Sequence, residues 1–221
     1  MRELTDLIDP HKSGWLLVQQ WFEEATNNHE ILPCIQHIAA EQLHSLQLTT
    51  QSLLGKVLYE TGGILVDKNW LRILGSGHPR LTRTIASWTP SVTTDRTFRA
   101  LLVADDLSGG FFALNGGEFG NDIGVVYYLA PDTLKWESLE VGYSGFLRWA
   151  ICGDIDLFYQ NVRWAGWREE TFSISGDAVY SFYPFLWTEP QLSIEQRSRV
   201  AVPVDEHWSL SLDLQQQLSG I

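Results

Sequence analysis

Cysteine is scarce in this chain. Cys34 and Cys152 lie far apart and form no C-x-x-C pair. The sequence therefore offers neither a disulfide framework nor a thiol-rich zinc site, and this usage fits a reduced, cytosolic compartment. Bases are also few: 15 Lys and Arg stand against 27 Asp and Glu, a formal net charge of −12. Binding nucleic acid requires a basic surface that neutralises phosphates, so the balance argues against it. No apolar run approaches the roughly 18 residues that a membrane span needs. The opening MRELTDLIDPHKSGW carries no apolar signal region, and the expected localisation is cytoplasmic. Charged residues make up 19 % and hydrophobic ones 44 %, which excludes a disordered chain.

Aromatic rings are abundant. Of the 27 Phe, Tyr and Trp residues, 19 fall between Phe111 and Trp187, so the main core or an aromatic binding face belongs there. The stretch from Phe98 to Tyr159 organises the rest. Arg99, Leu101 and Val103 alternate with Ala100, Leu102 and Ala104, which makes both faces of one strand largely apolar. Phe111–Leu114 lies between glycine pairs, and Val125–Leu129 stops at Pro131-Asp132. Short runs bounded by Gly, Asn, Asp and Pro predict an antiparallel meander of three or four strands. A helix follows from Tyr143 to Ile151, burying Phe146, Leu147, Ala150 and Ile151. Asp154 is placed to cap a further turn from Ile155 to Tyr159.

Upstream, three helices are predicted. The first runs from Ser13 to about Ala25 with Trp15, Val18 and Phe22 on one stripe. The second starts at Pro33 and ends near Leu46, with Ile35, Ile38, Ala39, Leu43 and Leu46 inward. The third runs from Gln51 to Glu60 behind a Thr50 cap, with Gly62 or Gly63 supplying a left-handed stop. Two short strands, Ile64–Val66 and Trp70–Leu74, flank a turn at Asp67-Lys68-Asn69. Gly75–Pro79 is a glycine-rich loop without the spacing of a phosphate loop. Arg80–Phe98 is read as a strand with a mobile loop. After Arg163 a second β-type region is expected, with Trp164, Trp167, Tyr180, Phe182, Tyr183, Phe185 and Trp187 in the core of an extended sheet. The tail predicts a helix at Ile194–Arg199, a strand at Val200–Val204 and a loose polar end.

Several patterns invite a chemical reading. Cys34, His37, Glu41 and His44 share one helix face, but the two histidines stand about 10 Å apart along the axis, too far for one ion. A solvated face explains them, and no metal or cofactor is expected. Asp105 and Asp106 are neighbours on a strand and point to opposite faces, so they do not make a carboxylate pair for a hydrolase. Pro131-Asp132 with Lys135 lacks the acidic-x-lysine arm of a nuclease and reads as a turn. Asp67, Trp70, Arg72, His78 and Asn115 gather at turns and near glycines, where a ligand or partner can approach. Turn chemistry with an Arg72–Asp67 ion pair is the simpler account. Trp164 and Trp167 are spaced to stack a sugar or, more simply, to pack a core.

A family resemblance rests on the runs GGILVDKNWLRILGSGHPRL, GGFFALNGG, VVYYLAPDTLKWESL, YSGFLRWAICGDIDLFY, RWAGW and PFLWT, which cover roughly Leu43 to Glu189. Their order and spacing resemble an uncharacterised bacterial domain family of unknown function. That pattern is in turn similar to the SUKH superfamily, many of whose members are immunity proteins that neutralise toxins, and others adaptors. The resemblance implies a SUKH-like α+β fold with a binding face and no catalysis. The expected organisation is one α+β domain: N-terminal helices (1–61), a largely antiparallel sheet and helix core (62–160) and an aromatic-rich C-terminal β extension (161–221). The functional expectation is a non-enzymatic, immunity- or adaptor-like module. Its acidic face would meet a basic protein partner such as a toxin domain, and Asp67, Trp70, Arg72, His78, Asn115, Trp164 and Trp167 are the candidate binding residues. The alternative is a hydrolase or binding protein for a small molecule or carbohydrate, with a polar pocket near Asp67 and His78.

Overall fold

The computed structural model of the chain describes residues 1–9, 13–93, 98–188 and 192–219. Its centre is an antiparallel sheet of seven strands, each paired with its neighbours in sequence. These are β1 (His29–Leu32), β2 (Gly63–Val66), β3 (Leu71–Leu74), β4 (Ala100–Asp106), β5 (Phe111–Asn115), β6 (Val125–Ala130) and β7 (Lys135–Gly142). The expected α+β class and the meander, β4 to β7, are both present. A separate two-stranded ribbon joins β8 (Ala178–Tyr183) to β9 (Ser198–Pro203).

Both faces of the central strands, β2 to β6, are covered, which is why they read as nearly continuous apolar runs, while most residues of the edge strands β1 and β7 are not buried. Adjacent strand residues point to opposite faces, and Phe111 and Phe112 show what lies on each. Phe112 packs against Phe146 and Trp149 of helix α6 (Tyr143–Cys152) and Phe158 of α7 (Ile155–Phe158). Phe111 packs against His207 and Trp208 of α9 (Val204–Ser219). Around α6 lie α2 (Ser13–Glu23) and α4 (Leu53–Glu60), and α3 (Gln36–Leu46) packs on α4. The short α1 (Leu4–Leu7), α5 (Trp88–Val92) and α8 (Trp167–Glu170) complete the helices among the described residues.

Several boundaries differ from the sequence expectation. After Asn27-Asn28 the chain enters β1, and Pro33 lies in the link before α3. That helix begins at Gln36 with an extended Ile35 at its cap, and Ile35 is exposed where an inward position was predicted. Ser52, not Thr50, caps α4: its Oγ accepts from the Gly55 amide at 3.1 Å. Thr50 is buried, and its hydroxyl accepts from the Asp9 amide. The helix stops at an extended Thr61; of the two candidate glycines Gly63 has a positive φ, 150°, but it opens β2 and is not the cap. Among the described residues of Arg80–Phe98 no strand forms; an isolated bridge, His78 to Leu81, and α5 occupy the region, and residues 94–97 of that predicted loop lie outside the described residues.

Past Arg163 the chain turns to helix, with Trp167 opening α8, and the ribbon β8–β9 stands apart from the sheet it was expected to extend. Tyr183 is exposed, and Phe185 and Trp187 stack on each other half-buried. The predicted helix at Ile194–Arg199 is one 3₁₀ turn, Ile194–Gln196, closed by a Ser193–Gln196 capping box. The tail expected to be loose is α9, except for residues 220–221, which lie outside the described residues. Helix α6 and the Asp154 cap stand as predicted, Asp154 Oδ1 accepting from the Leu157 amide at 2.9 Å.

Candidate functional site

Arg72 and Asp105 are cross-strand partners in β3 and β4. Arg72 Nε donates to Asp105 Oδ1 at 2.6 Å, and neither side chain has any exposure. Arg72 also donates to the Ala178 carbonyl at 2.7 Å and the Asp106 carbonyl at 3.1 Å. Arg83 pairs with the other oxygen of Asp105, then reaches Asp177 at 3.1 Å and the Gly176 carbonyl at 2.6 Å. One buried carboxylate thus joins two guanidinium groups and latches the sheet to the segment entering β8. Burial pulls Arg72 below its ordinary value, against the attraction of Asp105. Asp106 faces the other way, as strand geometry requires. Its oxygens accept from the Ser108 hydroxyl (2.6 Å) and amide, the Gly110 amide and the Tyr128 hydroxyl (2.8 Å). Burial still pushes its carboxyl above the usual range, with those bonds opposing. Neither carboxylate has an open side for a substrate.

Asp67 does not pair with Arg72. It meets Arg163 at 2.7 Å, and Arg163 also pairs with Asp156. The Arg163 guanidinium lies over three rings, Trp167 at 4.2 Å, Trp70 at 4.7 Å and Tyr159 at 5.1 Å from their centroids. Trp70 touches Tyr159, Trp164 and Trp167, so the turn after β2, the end of α7 and the start of α8 close around one cation. A cation over a ring face, partly desolvated, is worth about 0.5–2 kcal/mol. Trp164 carries a second cation, Arg199 at 4.1 Å, and donates through Nε1 to Glu170 at 2.8 Å. Four predicted site residues, Asp67, Trp70, Trp164 and Trp167, therefore do come together.

The others do not join them. Asp67 follows the end of the β2–β3 hairpin where Val66 pairs Leu71, whereas His78 follows the opposite end, where Gly63 pairs Leu74. His78 is tied into a local turn, its Nδ1 accepting from the Arg80 amide. Asn115 organises its own loop: its oxygen accepts from Gly117, Glu118 and Phe119, and its amide donates to Gly120 and Asp122. Trp164 and Trp167 are buried, so neither offers a face to a sugar. Among Cys34, His37, Glu41 and His44, His37 and Glu41 are exposed. Among the described residues no three His, Cys, Asp or Glu side chains converge to hold a metal ion.

Sequence reasoning missed a second ring cluster. Phe98, Phe119, Trp136 and Trp208 line a groove of about 380 Å³ with Glu118 among its walls. Phe98 precedes β4, Phe119 sits in the β5–β6 loop, Trp136 is in β7 and Trp208 in α9. Only the excess of aromatics hinted at it.

The fold and site define an α+β protein whose buried charges serve the architecture. The chain belongs to a family described as a protein of unknown function, DUF2625, which matches residues 4–207. It is similar to the uncharacterized protein YbfG of Escherichia coli (strain K12), 47 % identical over 216 residues covering 98 % of each chain. It is also similar to an uncharacterized protein of Haemophilus influenzae (strain ATCC 51907 / DSM 11121 / KW20 / Rd), 38 % identical over 211 residues, 94 % of this chain and 92 % of that one. No solved structure matches the chain. No helix among the described residues is long and apolar enough to cross a membrane.

Proposed function

We propose that this protein is a non-enzymatic binding module, immunity- or adaptor-like in the SUKH manner, whose acidic surface receives a basic protein partner. The observation that carries this reading is how charge is distributed between core and surface. Among the described residues Lys56, Arg72, Arg83 and Arg197 are buried, against Asp67, Asp105 and Asp106 among the carboxylates. The buried charges nearly cancel, so the acidic excess behind the net charge of −12 is carried at the surface. Such a field steers a cationic partner and weakens in salt. The hydrolase alternative gains no support from Asp67 and His78, which lie beyond opposite ends of one hairpin.

The test is reconstitution. The tagged chain is cross-linked in its native host at low salt, basic partners are identified, and the complex is rebuilt from two purified components. A defined complex whose affinity falls at least tenfold between 50 and 300 mM salt is expected for several screened charge pairs. Failure to rebuild any complex at 50 mM salt refutes the reading.

A further inference from the structure

The four rings of the groove form a closed circuit. Phe119 stacks on Trp136 at 4.5 Å, Trp136 meets Trp208 at 6.3 Å, Trp208 meets Phe98 at 6.5 Å, and Phe98 meets Phe119 at 6.3 Å. Trp208 is buried and forms the floor, while Phe98, Phe119 and Trp136 remain partly exposed. Elsewhere in the protein, Trp70, Trp88, Trp164 and Trp167 each carry a guanidinium from the chain itself. Arg163 and Arg168 lie over Trp167, Arg163 also over Trp70, Arg199 over Trp164, and Arg83 over Trp88. Among the described residues no guanidinium or ammonium lies over the four groove rings. The one titratable side chain among the described lining residues is an acid, Glu118. Its carboxylate is held by the Arg99 amide at 2.8 Å.

Ring faces are negative and attract cations, and a carboxylate beside them adds to that attraction. We infer that this groove is a cage for a lysine or arginine side chain presented by a basic protein partner. The inference rests on the binding reading above and adds where the partner's cation is seated. The charge of the wall selects the occupant: a second copy of this chain would bring a surface just as acidic, and a purely apolar segment would leave Glu118 facing it.

The test uses the full chain with its tryptophan indoles labelled for NMR. An acetylated and amidated peptide, Gly-Arg-Gly-Lys-Gly, is titrated against its citrulline and norleucine counterpart. The Trp136 and Trp208 indole signals are expected to move with the cationic peptide and not with the neutral one, while those of Trp70 and Trp164 stay. Glu118→Gln keeps an acceptor for the Arg99 amide and removes the charge; it is expected to weaken binding roughly twofold to fivefold, the scale of one screened charge pair. Trp136→Leu keeps apolar volume and removes the ring, and it is expected to abolish the shift. Equal response to the neutral peptide, or none to the cationic one, overturns the inference. So does a response to tetramethylammonium alone, which would assign the cage to a small molecule. If a reconstituted partner complex ignores both substitutions, the cage inference fails and the binding reading stands. If the peptide titrates as expected but no partner complex can be rebuilt, the reverse holds.

Discussion

Asp105 is the residue on which the buried polar interior turns. Two guanidinium groups, those of Arg72 and Arg83, share its carboxylate with almost no solvent. Removing one partner of a buried pair leaves an uncompensated charge, which costs about 3–5 kcal/mol. Asp105→Asn is therefore expected to lower unfolding stability by that amount in urea titrations. Arg80 offers the contrast. Its bidentate pair with Glu30 is about half exposed on both sides, so Arg80→Ala is expected to cost under about 1 kcal/mol. His207 predicts a pH response. Burial, with only the Gly109 backbone pulling the other way, holds its imidazole at about 4. In the unfolded chain the value is about 6.5. The unfolded state binds the proton more readily, so this contribution is complete above about pH 6.5 and declines toward pH 4, by up to about 3 kcal/mol. Denaturation midpoints measured between pH 7 and 4.5 should flatten in His207→Gln.

The hairpin β2–β3 carries an unusual turn. Asp67, Lys68 and Asn69 are all left-handed, with φ of 47°, 56° and 72°. Asp and Asn tolerate this region because their short side chains bond locally; Lys has no such relief. Lys68 is exposed, so Lys68→Gly is expected to stabilise by about 0.5–1 kcal/mol and raise the melting temperature by roughly 1–4 °C in calorimetry. The turn was legible from its residue types, although its handedness was not. Strand β1 was not legible: of its four residues only Leu32 is buried, so no alternation appears. Helix α9 was misread because its sequence is mostly polar. The spacing of Val204, Trp208 and Ser211, its buried positions, fits one helical stripe and could have exposed it.

At the scale of the molecule, the C-terminal part is a layer over the sheet. Trp208 covers Phe111, Arg72 holds the Ala178 carbonyl, and the Tyr180 amide donates to the Leu107 carbonyl at 2.9 Å. The two parts should therefore unfold in one transition. Tryptophan fluorescence and far-UV circular dichroism are expected to give coincident urea curves; a separate early phase from the C-terminal part would contradict this.

The sequence by itself determined most strands and helices, the apolar character of both sheet faces, and an acidic surface. Those properties depend on residue type and on spacings of a few residues, where local conformational preference and periodicity act. The tertiary structure alone decided which charges and rings meet. Asp67 found Arg163 and not Arg72, and Phe98 and Phe119 closed a circuit with Trp136 and Trp208. Such partners are set by how distant elements pack. Once the interior is closed to water, only paired charges are tolerated, and chain spacing does not say which pairs those will be.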